Sequence, residues 1–386
     1  MTAIEIEGHI EPGFEAVAQV FLDNFQQFGE RGAAFSVVHE GELLLDIWAG
    51  SRDKAAQLPW LENTRATIFS AGKALVAVCV LQLVERGLLS LDQPVADYWP
   101  EFSAANKAKV TVRQVLCHRS GVNAFHEPVD DQAIFDWGTI VGRVAAEEPW
   151  WEPGSQQGYS PMLYGWVLGE LVRRVSGAHS FNEYFQANIA APLDLDSEFG
   201  VADAALAGLA DMAPNRETLP QLNHNGMTEI MGADPRGLAN LAFGNPSSLL
   251  FGTNSNNWRQ AQIPAANAQS SARSLALFYG SLSNSSDERL LSTAMKPSCW
   301  TPQSHAEDCV LKNDITFALG FMCWSSHISD ERFGHPGAGG TLGYGDAENQ
   351  LGVGYVTRSM GQAILLDYRA DRLLEATYNT LGLSRA

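Results

Sequence analysis

The chain has little positive charge for its size and no long uninterrupted apolar run. Its 386 residues include 25 lysines and arginines against 44 aspartates and glutamates, a formal net charge of -19 at pH 7. Nucleic acids and anionic membrane surfaces repel a strongly acidic protein, so we expect neither as a partner. A stretch of about 18 apolar residues, which could span a membrane, does not occur. These shortages favour a globular protein that acts on a neutral or apolar small molecule.

Cysteine pairs and metal-ligand patterns are also scarce. The five cysteines form no C-x-x-C pair and stand far apart, at Cys79, Cys117, Cys299, Cys309 and Cys323. Such thiols are typical of a reducing compartment rather than of a disulfide framework or a zinc site. The nine histidines show no H-E-x-x-H or related spacing, so we expect no metal and no cofactor. The N-terminus lacks the basic segment and apolar core of a signal peptide, and together with the thiols this predicts a cytoplasmic location.

The length and the alternation of apolar residues predict two subdomains. A single core stops growing at roughly 250–300 residues, and this chain is longer. Residues 33–50 predict two strands joined at a Glu-Gly turn, and a strand-like pattern returns after about residue 315. We therefore predict an α/β domain whose sheet comes from residues 1–90 and 300–386. A mainly helical domain with long loops is predicted as an insertion over residues 91–299.

Other elements follow from the period of the apolar residues. Helices are predicted at 12–28, 110–121, 160–177, 181–195, 270–283 and 369–383. Gly121 should end the second of these helices, and Pro192 should close the fourth. Strands are predicted at 317–324, at 341–358 around a turn at 346–350, and at 362–369. Residues 221–265 are rich in glycine, asparagine, serine and proline, which predicts a long functional loop.

The stretch FSAGKALVAVCVLQLVERGLL, residues 69–89, places Ser70 and Lys73 at the opening of an apolar helix. Residues three apart share one face of a helix, so the lysine can reach the serine hydroxyl. A serine in the first turn also lies among unpaired N–H groups at the positive end of the helix. A hydroxyl with a nearby base and with donors for negative charge is typical of an activated nucleophile. A capping serine beside a lysine that extends to solvent is the alternative that this spacing alone leaves open.

Four segments in this order resemble the serine penicillin-recognising enzymes, which comprise class C β-lactamases, D-amino-acid peptidases and family VIII carboxylesterases. Residues 63–102 contain the S-x-x-K element and the helix after it, and VLCHRSGV (115–122) resembles the family's L-x-x-H-x-S-G element. WEPGSQQGYS (151–160) resembles its PG…YS segment, and GHPGAGG (334–340) its third motif. The resemblance implies a β-lactamase/DD-peptidase-like fold, in which an antiparallel sheet is flanked by helices and carries an inserted helical domain.

The resemblance also implies a Ser-Lys-Tyr catalytic group. Ser70 would be the nucleophile, and Tyr159 would be the tyrosine of the second motif, whose phenol faces that serine. An adjacent ammonium favours a phenolate, so we expect Lys73 to lower the pKa of Tyr159 from its ordinary value near 10. The Tyr159–Lys73 pair would then accept the Ser70 proton and return it to the leaving alkoxide.

The third motif is expected to supply the other site residues. By the same analogy, the N–H of Ala338 would join the N–H of Ser70 as a donor to the oxyanion. Gly337 would let the backbone approach the substrate closely. His335 would orient Tyr159 or contact the substrate, and a purely structural histidine is the alternative.

Two departures from the family pattern bear on the substrate. Pro161 stands where the second motif usually has asparagine, and His335-Pro336 replaces the usual Lys-Thr. The missing side chains bind the amide and the carboxylate of peptide-like substrates in drug-hydrolysing members. We therefore expect a serine carboxylesterase for small-molecule esters of short to medium acyl chain. A β-lactamase, D-amino-acid peptidase or acyltransferase on the same scaffold, or a non-catalytic penicillin-binding-like protein, remains open.

Overall fold

The computed structural model describes residues 4–222, 224, 226–247, 252–325, 327 and 330–385. The strands are β1 (Glu7–Ile10), β2 (Gly32–His39), β3 (Glu42–Gly50), β4 (Ala66–Thr67), β5 (Ser197–Glu198), β6 (Ala213–Pro214), β7 (Gln269–Ser270), β8 (Ser304–Glu307), β9 (Asp314–Phe317), β10 (Met322–Cys323), β11 (Arg332–Pro336), β12 (Leu342–Asp346), β13 (Leu351–Thr357) and β14 (Ser359–Met360). The α-helices are α1 (Glu15–Gln27), α2 (Gly72–Glu85), α3 (Val112–Leu116), α4 (Trp137–Ala146), α5 (Leu163–Ser176), α6 (Phe181–Phe185), α7 (Ala191–Leu193), α8 (Met227–Ala233), α9 (Leu238–Gly244), α10 (Asn256–Gln260), α11 (Ala272–Ser283) and α12 (Tyr368–Leu381). No helix in these ranges is both long and apolar enough to cross a membrane.

Nine of these strands form one sheet in the order β1-β3-β2-β13-β12-β11-β10-β9-β8, and all neighbouring pairs are antiparallel. The N-terminal hairpin β2–β3 joins the C-terminal strands through β13, where Phe35 lies opposite Tyr355. Both ends of the chain therefore contribute to the same sheet. The boundaries of the two domains, 1–90 with 300–386 and 91–299, stay a prediction.

Helices cover both faces of this sheet. On one face, α1 packs against α12, and Phe21 and Leu373 of these helices share an apolar cluster with Phe35 of β2. On the other face, α11 lies directly against β2, β12 and β13. Gly354 of β13 makes this approach possible, because a Cβ there would lie 2.1 Å from the carbonyl oxygen of Ala272.

Helix α2 lies inside the largest apolar cluster of the protein. Every residue from Gly72 to Leu83 is buried, as expected for a helix that is apolar on all sides. The 3₁₀ turn Phe69–Ala71 precedes this helix and contacts β11, and α5 packs along the helix itself. The start of α2 is thus held between the sheet and the helices of the central part of the chain.

Most of the predicted elements are present. Helices α1, α5, α11 and α12 and the turns at 40–41 and 346–350 lie close to their predicted positions. Helix α5 ends where predicted, since Gly177 follows it with a left-handed φ of 76°.

Two local predictions are wrong for identifiable reasons, and a third is confirmed. The helix predicted to run to Gly121 ends at Leu116, because His118 takes a left-handed φ of 56°. The helix predicted at 181–195 is confirmed: α6, the π-helical segment Gln186–Ala190 and α7 follow one another without a break, and the run ends at Leu193, directly after Pro192, where Asp194 takes a left-handed φ of 54°. The strand predicted at 362–369 is irregular up to Asp367, whose side chain caps the N-terminus of α12.

Two further segments contain more structure than predicted. The loop predicted at 221–265 includes α8, α9 and α10 in its described part. The single strand predicted at 317–324 is the end of β9 and the whole of β10, which pair antiparallel with Met322 opposite Phe317. Gly320, with a φ of 85°, allows the tight reversal between them.

Candidate active site

Ser70 lies in the helical turn that leads into α2. Its side chain is partly exposed, whereas Lys73, one turn further on, is completely buried. Phe69 has a left-handed φ of 47°, which is a strained backbone conformation for an aromatic residue. The chain thus turns sharply just before Ser70, leaves the serine hydroxyl partly exposed to solvent, and then enters the core as α2.

The Lys73 amine contacts three oxygen atoms. Its Nζ lies 3.0 Å from Ser70 Oγ, 2.7 Å from the carbonyl oxygen of Pro161 and 2.9 Å from that of Ala265. It also lies 4.8 Å from the centre of the Tyr159 ring. No carboxylate is among these contacts, so none of them supplies a negative charge to balance an ammonium.

Burial lowers the pKa of Lys73 well below the ordinary lysine value, because the charged form loses its hydration. A neutral amine has two N–H bonds and one lone pair. In its neutral form the amine donates its two N–H groups to the carbonyl oxygens of Pro161 and Ala265, and its lone pair is then free to accept the hydroxyl proton of Ser70, whose Oγ lies 3.0 Å away. This arrangement suits a general base that takes the proton of the nucleophile.

Tyr159 is buried beside Ser70, and its hydroxyl interacts with the Ser70 side chain. The expectation that Lys73 lowers the pKa of Tyr159 is wrong. Burial raises that pKa above the ordinary tyrosine value, because a phenolate would be poorly solvated there. Burial also lowers the pKa of Lys73, so an ammonium that could offset this cost is itself disfavoured. The phenol therefore keeps its proton and can act as a hydrogen-bond donor.

His118 holds the segment that carries Tyr159, a role that was not predicted. Its Nδ1 accepts the backbone N–H of Ser160 at 3.0 Å, and its ring stacks on Tyr164 with centroids 4.9 Å apart. Burial, and then the nearby Lys73, lower the pKa of His118 well below its ordinary value, so the imidazole is neutral. The histidine of VLCHRSGV was visible in the sequence, but its contact across 42 residues was not.

Asp308 is a second buried contact of the tyrosine segment. Its Oδ1 accepts the backbone N–H of Tyr159 at 3.0 Å and those of Val310 and Leu311 at 2.9 Å. Burial raises the pKa of Asp308. No sequence signal links this carboxyl to a tyrosine 149 residues away.

The glycine-rich turn 337–340 follows β11 and approaches the nucleophile. A Cβ on Gly337 would lie 2.3 Å from the carbonyl oxygen of Ile68, so only glycine permits this contact with the segment before Ser70. The N–H of Ala338 has no acceptor among the described residues. The turn therefore brings an unused backbone donor close to the segment that carries Ser70.

His335 lies buried at the end of β11, with its ring centre 6.0 Å from that of Tyr159. We assign its proton to Nδ1, which lies 2.8 Å from the carbonyl oxygen of Pro336. Burial, and then Lys73, lower the pKa of His335 to about 3. Its Nε2 has no partner among the described residues and stays an acceptor.

The chain matches the beta-lactamase family over residues 21–377 and belongs to that family. The resemblance found in the four motifs is thereby confirmed for nearly the whole sequence. The esterase/beta-lactamase LipL of Mycobacterium tuberculosis is 29% identical over 371 aligned positions, and the alignment covers 94% of this chain and 85% of LipL.

Two solved structures confirm the predicted β-lactamase/DD-peptidase-like fold. A family VIII carboxylesterase is 31% identical and superposes with a TM-score of 0.87, over 97% of this chain and 100% of its own. A penicillin-binding protein homologue from Caulobacter crescentus is 33% identical with a TM-score of 0.86, over the same shares.

Proposed function

We propose that the protein is a serine carboxylesterase that hydrolyses small-molecule esters of short to medium acyl chain. The observation that carries the proposal is the buried Lys73 amine, 3.0 Å from Ser70 Oγ, with two carbonyl oxygens on its N–H groups. One relative is named an esterase/beta-lactamase and one structural neighbour a family VIII carboxylesterase, which supports ester chemistry on this scaffold.

In the first half-reaction, Ser70 Oγ attacks the ester carbonyl carbon while its proton passes to Lys73 Nζ. The carbonyl oxygen becomes negative and accepts hydrogen bonds from the N–H groups of Ser70 and Ala338. Removing one donor of this kind typically lowers kcat by ~10²–10³. The tetrahedral intermediate then collapses to an acyl-enzyme on Ser70.

Tyr159 completes the proton transfer to the leaving alkoxide. Its raised pKa keeps the phenol protonated, so it gives its proton to the alkoxide and regains one from Lys73. In the second half-reaction a water molecule loses a proton to the same pair, attacks the acyl carbonyl and releases the acid. Ser70 then recovers its hydroxyl proton.

The polar groups around the serine favour esters over β-lactams. Pro161 offers no side-chain amide, and its carbonyl oxygen is already bound to Lys73. His335 is neutral and cannot hold a substrate carboxylate as a lysine ammonium would. We propose that the buried Nε2 of His335, which has no partner in the described part of the chain, instead orients Tyr159 or accepts a hydrogen bond from the substrate.

The test compares the wild-type protein with Ser70→Ala on p-nitrophenyl esters of graded chain length and on a chromogenic cephalosporin. We expect ester turnover to exceed cephalosporin opening, and Ser70→Ala to abolish both while the protein stays folded by circular dichroism. Faster cephalosporin hydrolysis would favour the β-lactamase alternative. An added alcohol that outcompetes water for the acyl group would favour the acyltransferase.

We also propose a cytoplasmic location. The five cysteines are free in the structure, and Cys79, Cys117 and Cys299 among them are buried. Free thiols are typical of reducing compartments. Fractionation of cells that express the natural protein should recover it with a cytoplasmic marker, and recovery with the envelope would contradict the proposal.

A further inference from the structure

A group of buried charges lies against the turn 337–340, and the reaction described above does not use it. Glu30 follows the end of α1, and Asp367 and Arg369 stand at the start of α12. All three side chains are buried. The two carboxylates bind the guanidinium at 3.0 Å and 2.9 Å. Burying such a group is costly unless nearly every polar atom has a partner.

Both oxygen atoms of the Glu30 carboxylate accept hydrogen bonds. Its Oε2 accepts the Tyr355 hydroxyl at 2.6 Å, the Thr357 hydroxyl at 2.7 Å and Arg369 Nη1 at 3.0 Å. Its Oε1 accepts the backbone N–H of Arg31 at 2.9 Å. The carboxylate is therefore held from β13, from α12 and from its own segment, and in turn it fixes the guanidinium.

Arg369 connects this group of charges to the turn 337–340 by a hydrogen bond. Its Nη2 donates to the carbonyl oxygen of Gly339 at 2.8 Å, and the N–H of Gly361 donates to the same oxygen at 2.8 Å. A Cβ on Gly340 would lie 2.6 Å from Arg369 Nη2, so the backbone of the turn rests directly on the guanidinium.

The turn needs such support because it is rich in glycine. Gly339 and Gly340 have φ values of 86° and 130°, and glycine backbones change conformation easily. At the other end, Gly337 lies against the carbonyl oxygen of Ile68. Ala338 stands between these two fixed points, so its N–H direction depends on both.

We propose that Arg369, held by Glu30 and Asp367, is a positioning residue that aims the Ala338 N–H at the oxyanion. This inference rests on the proposed function, because it assigns Ala338 to the oxyanion site. The oxyanion forms only in the transition state, so a misaimed donor should lower kcat and leave KM nearly unchanged.

The test measures kcat, KM and the affinity for an alkylboronic acid in Arg369→Lys. Ser70 Oγ adds to the boron, its proton passes to Lys73, and the tetrahedral adduct places an oxygen where the oxyanion would lie. We expect kcat to fall about 10- to 100-fold, which is no more than the fall caused by removing a whole oxyanion donor. KM should stay within about twofold of the wild-type value. Affinity for the boronic acid should fall by a similar factor. Rates are normalised to active sites titrated with a fluorophosphonate.

Arg273→Lys is the matched control, because Arg273 also pairs with two carboxylates, Asp46 and Glu62. Neither kcat nor boronic acid affinity should change in it. If Arg369→Lys does not fold, Tyr355→Phe removes one hydrogen bond from Glu30 and should give a smaller fall in the same two quantities.

Unchanged kcat and boronic acid affinity in the folded variants would overturn the positioning role. That result would leave the proposed function intact, provided that wild-type turnover is lost in Ser70→Ala. Absence of Ser70-dependent ester turnover in the wild-type protein would instead refute the proposed function.

Discussion

Lys73 meets three oxygen atoms inside a shell of aromatic side chains, and this environment decides what its amine can do. An ammonium there would lack a carboxylate and most of its hydration. A neutral amine fits the same contacts without either cost and offers its lone pair to Ser70. The pKa values of the neighbouring His118 and His335 are lowered as well, so both imidazoles are neutral at pH 7.

The first prediction concerns the pH dependence of kcat/KM. Protonated Lys73 cannot accept the Ser70 proton, so kcat/KM should rise with pH and level off below the ordinary lysine pKa. His335, with a pKa of about 3, adds no further acid limb in the neutral range. Tyr159 has a raised pKa and stays protonated, so we expect no alkaline fall below about pH 10. Initial rates with a p-nitrophenyl ester, corrected for spontaneous hydrolysis, measure the profile.

Lys73→Arg is the control for this pH profile, because a guanidinium stays protonated at every pH of the assay. Its kcat/KM should be ~10²–10⁴ lower and should lack the acid limb. An alkaline fall near neutral pH in the wild-type protein would contradict a Tyr159 that stays protonated and donates its proton to the alkoxide.

The sequence predicted which side chains lie together around Ser70 better than their protonation states. Ser70 and Lys73 are three residues apart on one helix, so their contact follows from helix geometry alone. The pKa of Tyr159 depends on burial by segments far along the chain, which no local pattern shows. For the same reason Asp308 and Arg369 were not found, since their contacts join distant segments.

At the scale of elements, the site depends on how closely β11 and its turn approach the start of α2. Gly337 makes this contact through the carbonyl oxygen of Ile68, two residues before the nucleophile. The early end of α3 matters in the same way. The left-handed φ of His118 ends that helix and places the imidazole under Tyr159 and Tyr164.

Gly337→Ala is therefore predicted to impair catalysis. The added Cβ would lie 2.3 Å from a backbone oxygen, and the segment that carries Ser70 would have to shift. We expect kcat to fall about 100-fold, as for a small misplacement of a reacting group. Steady-state kinetics on an ester measures this.

Gly142→Ala is a control that adds the same methyl group elsewhere. Gly142 is an exposed residue of α4 with open space around its Cβ position, so kcat should not change. Alanine in a helix interior should raise the free energy of unfolding by about 0.5–1 kcal/mol. A Gly337→Ala variant as active as Gly142→Ala would show that the close approach is dispensable.

Elements were predictable where a local signal dominates and not where tertiary contacts decide. Gly177 ended α5 as expected, because glycine adopts the left-handed conformation without strain. His118 and Asp194 also adopt left-handed φ values, but nothing in the neighbouring sequence predicts this conformation. The segment 362–367 is apolar enough to suggest a strand, yet it supports the turn 337–340 through the N–H of Gly339 and the carbonyl oxygen of Ala363.

At the scale of the whole molecule, the two ends of the chain meet in one antiparallel sheet, and both contribute residues next to the site. Glu30 comes from the N-terminal part, the turn 337–340 from the C-terminal part, and α12 carries Arg369 to both. The sequence predicted the sheet from the strand patterns at both ends. It could not show the order of the strands, because β-pairing is set by packing rather than by local propensity.

Trapping the acyl-enzyme tests directly whether Ser70 is the nucleophile. The protein is mixed with a p-nitrophenyl ester, quenched in acid during turnover, digested and examined by mass spectrometry beside a Ser70→Ala sample. We predict one acyl group on the peptide that contains Ser70 and none in the variant. An acyl group on another residue, or turnover with no adduct at Ser70 and full activity in Ser70→Ala, would contradict the central claim that Ser70 is the nucleophile.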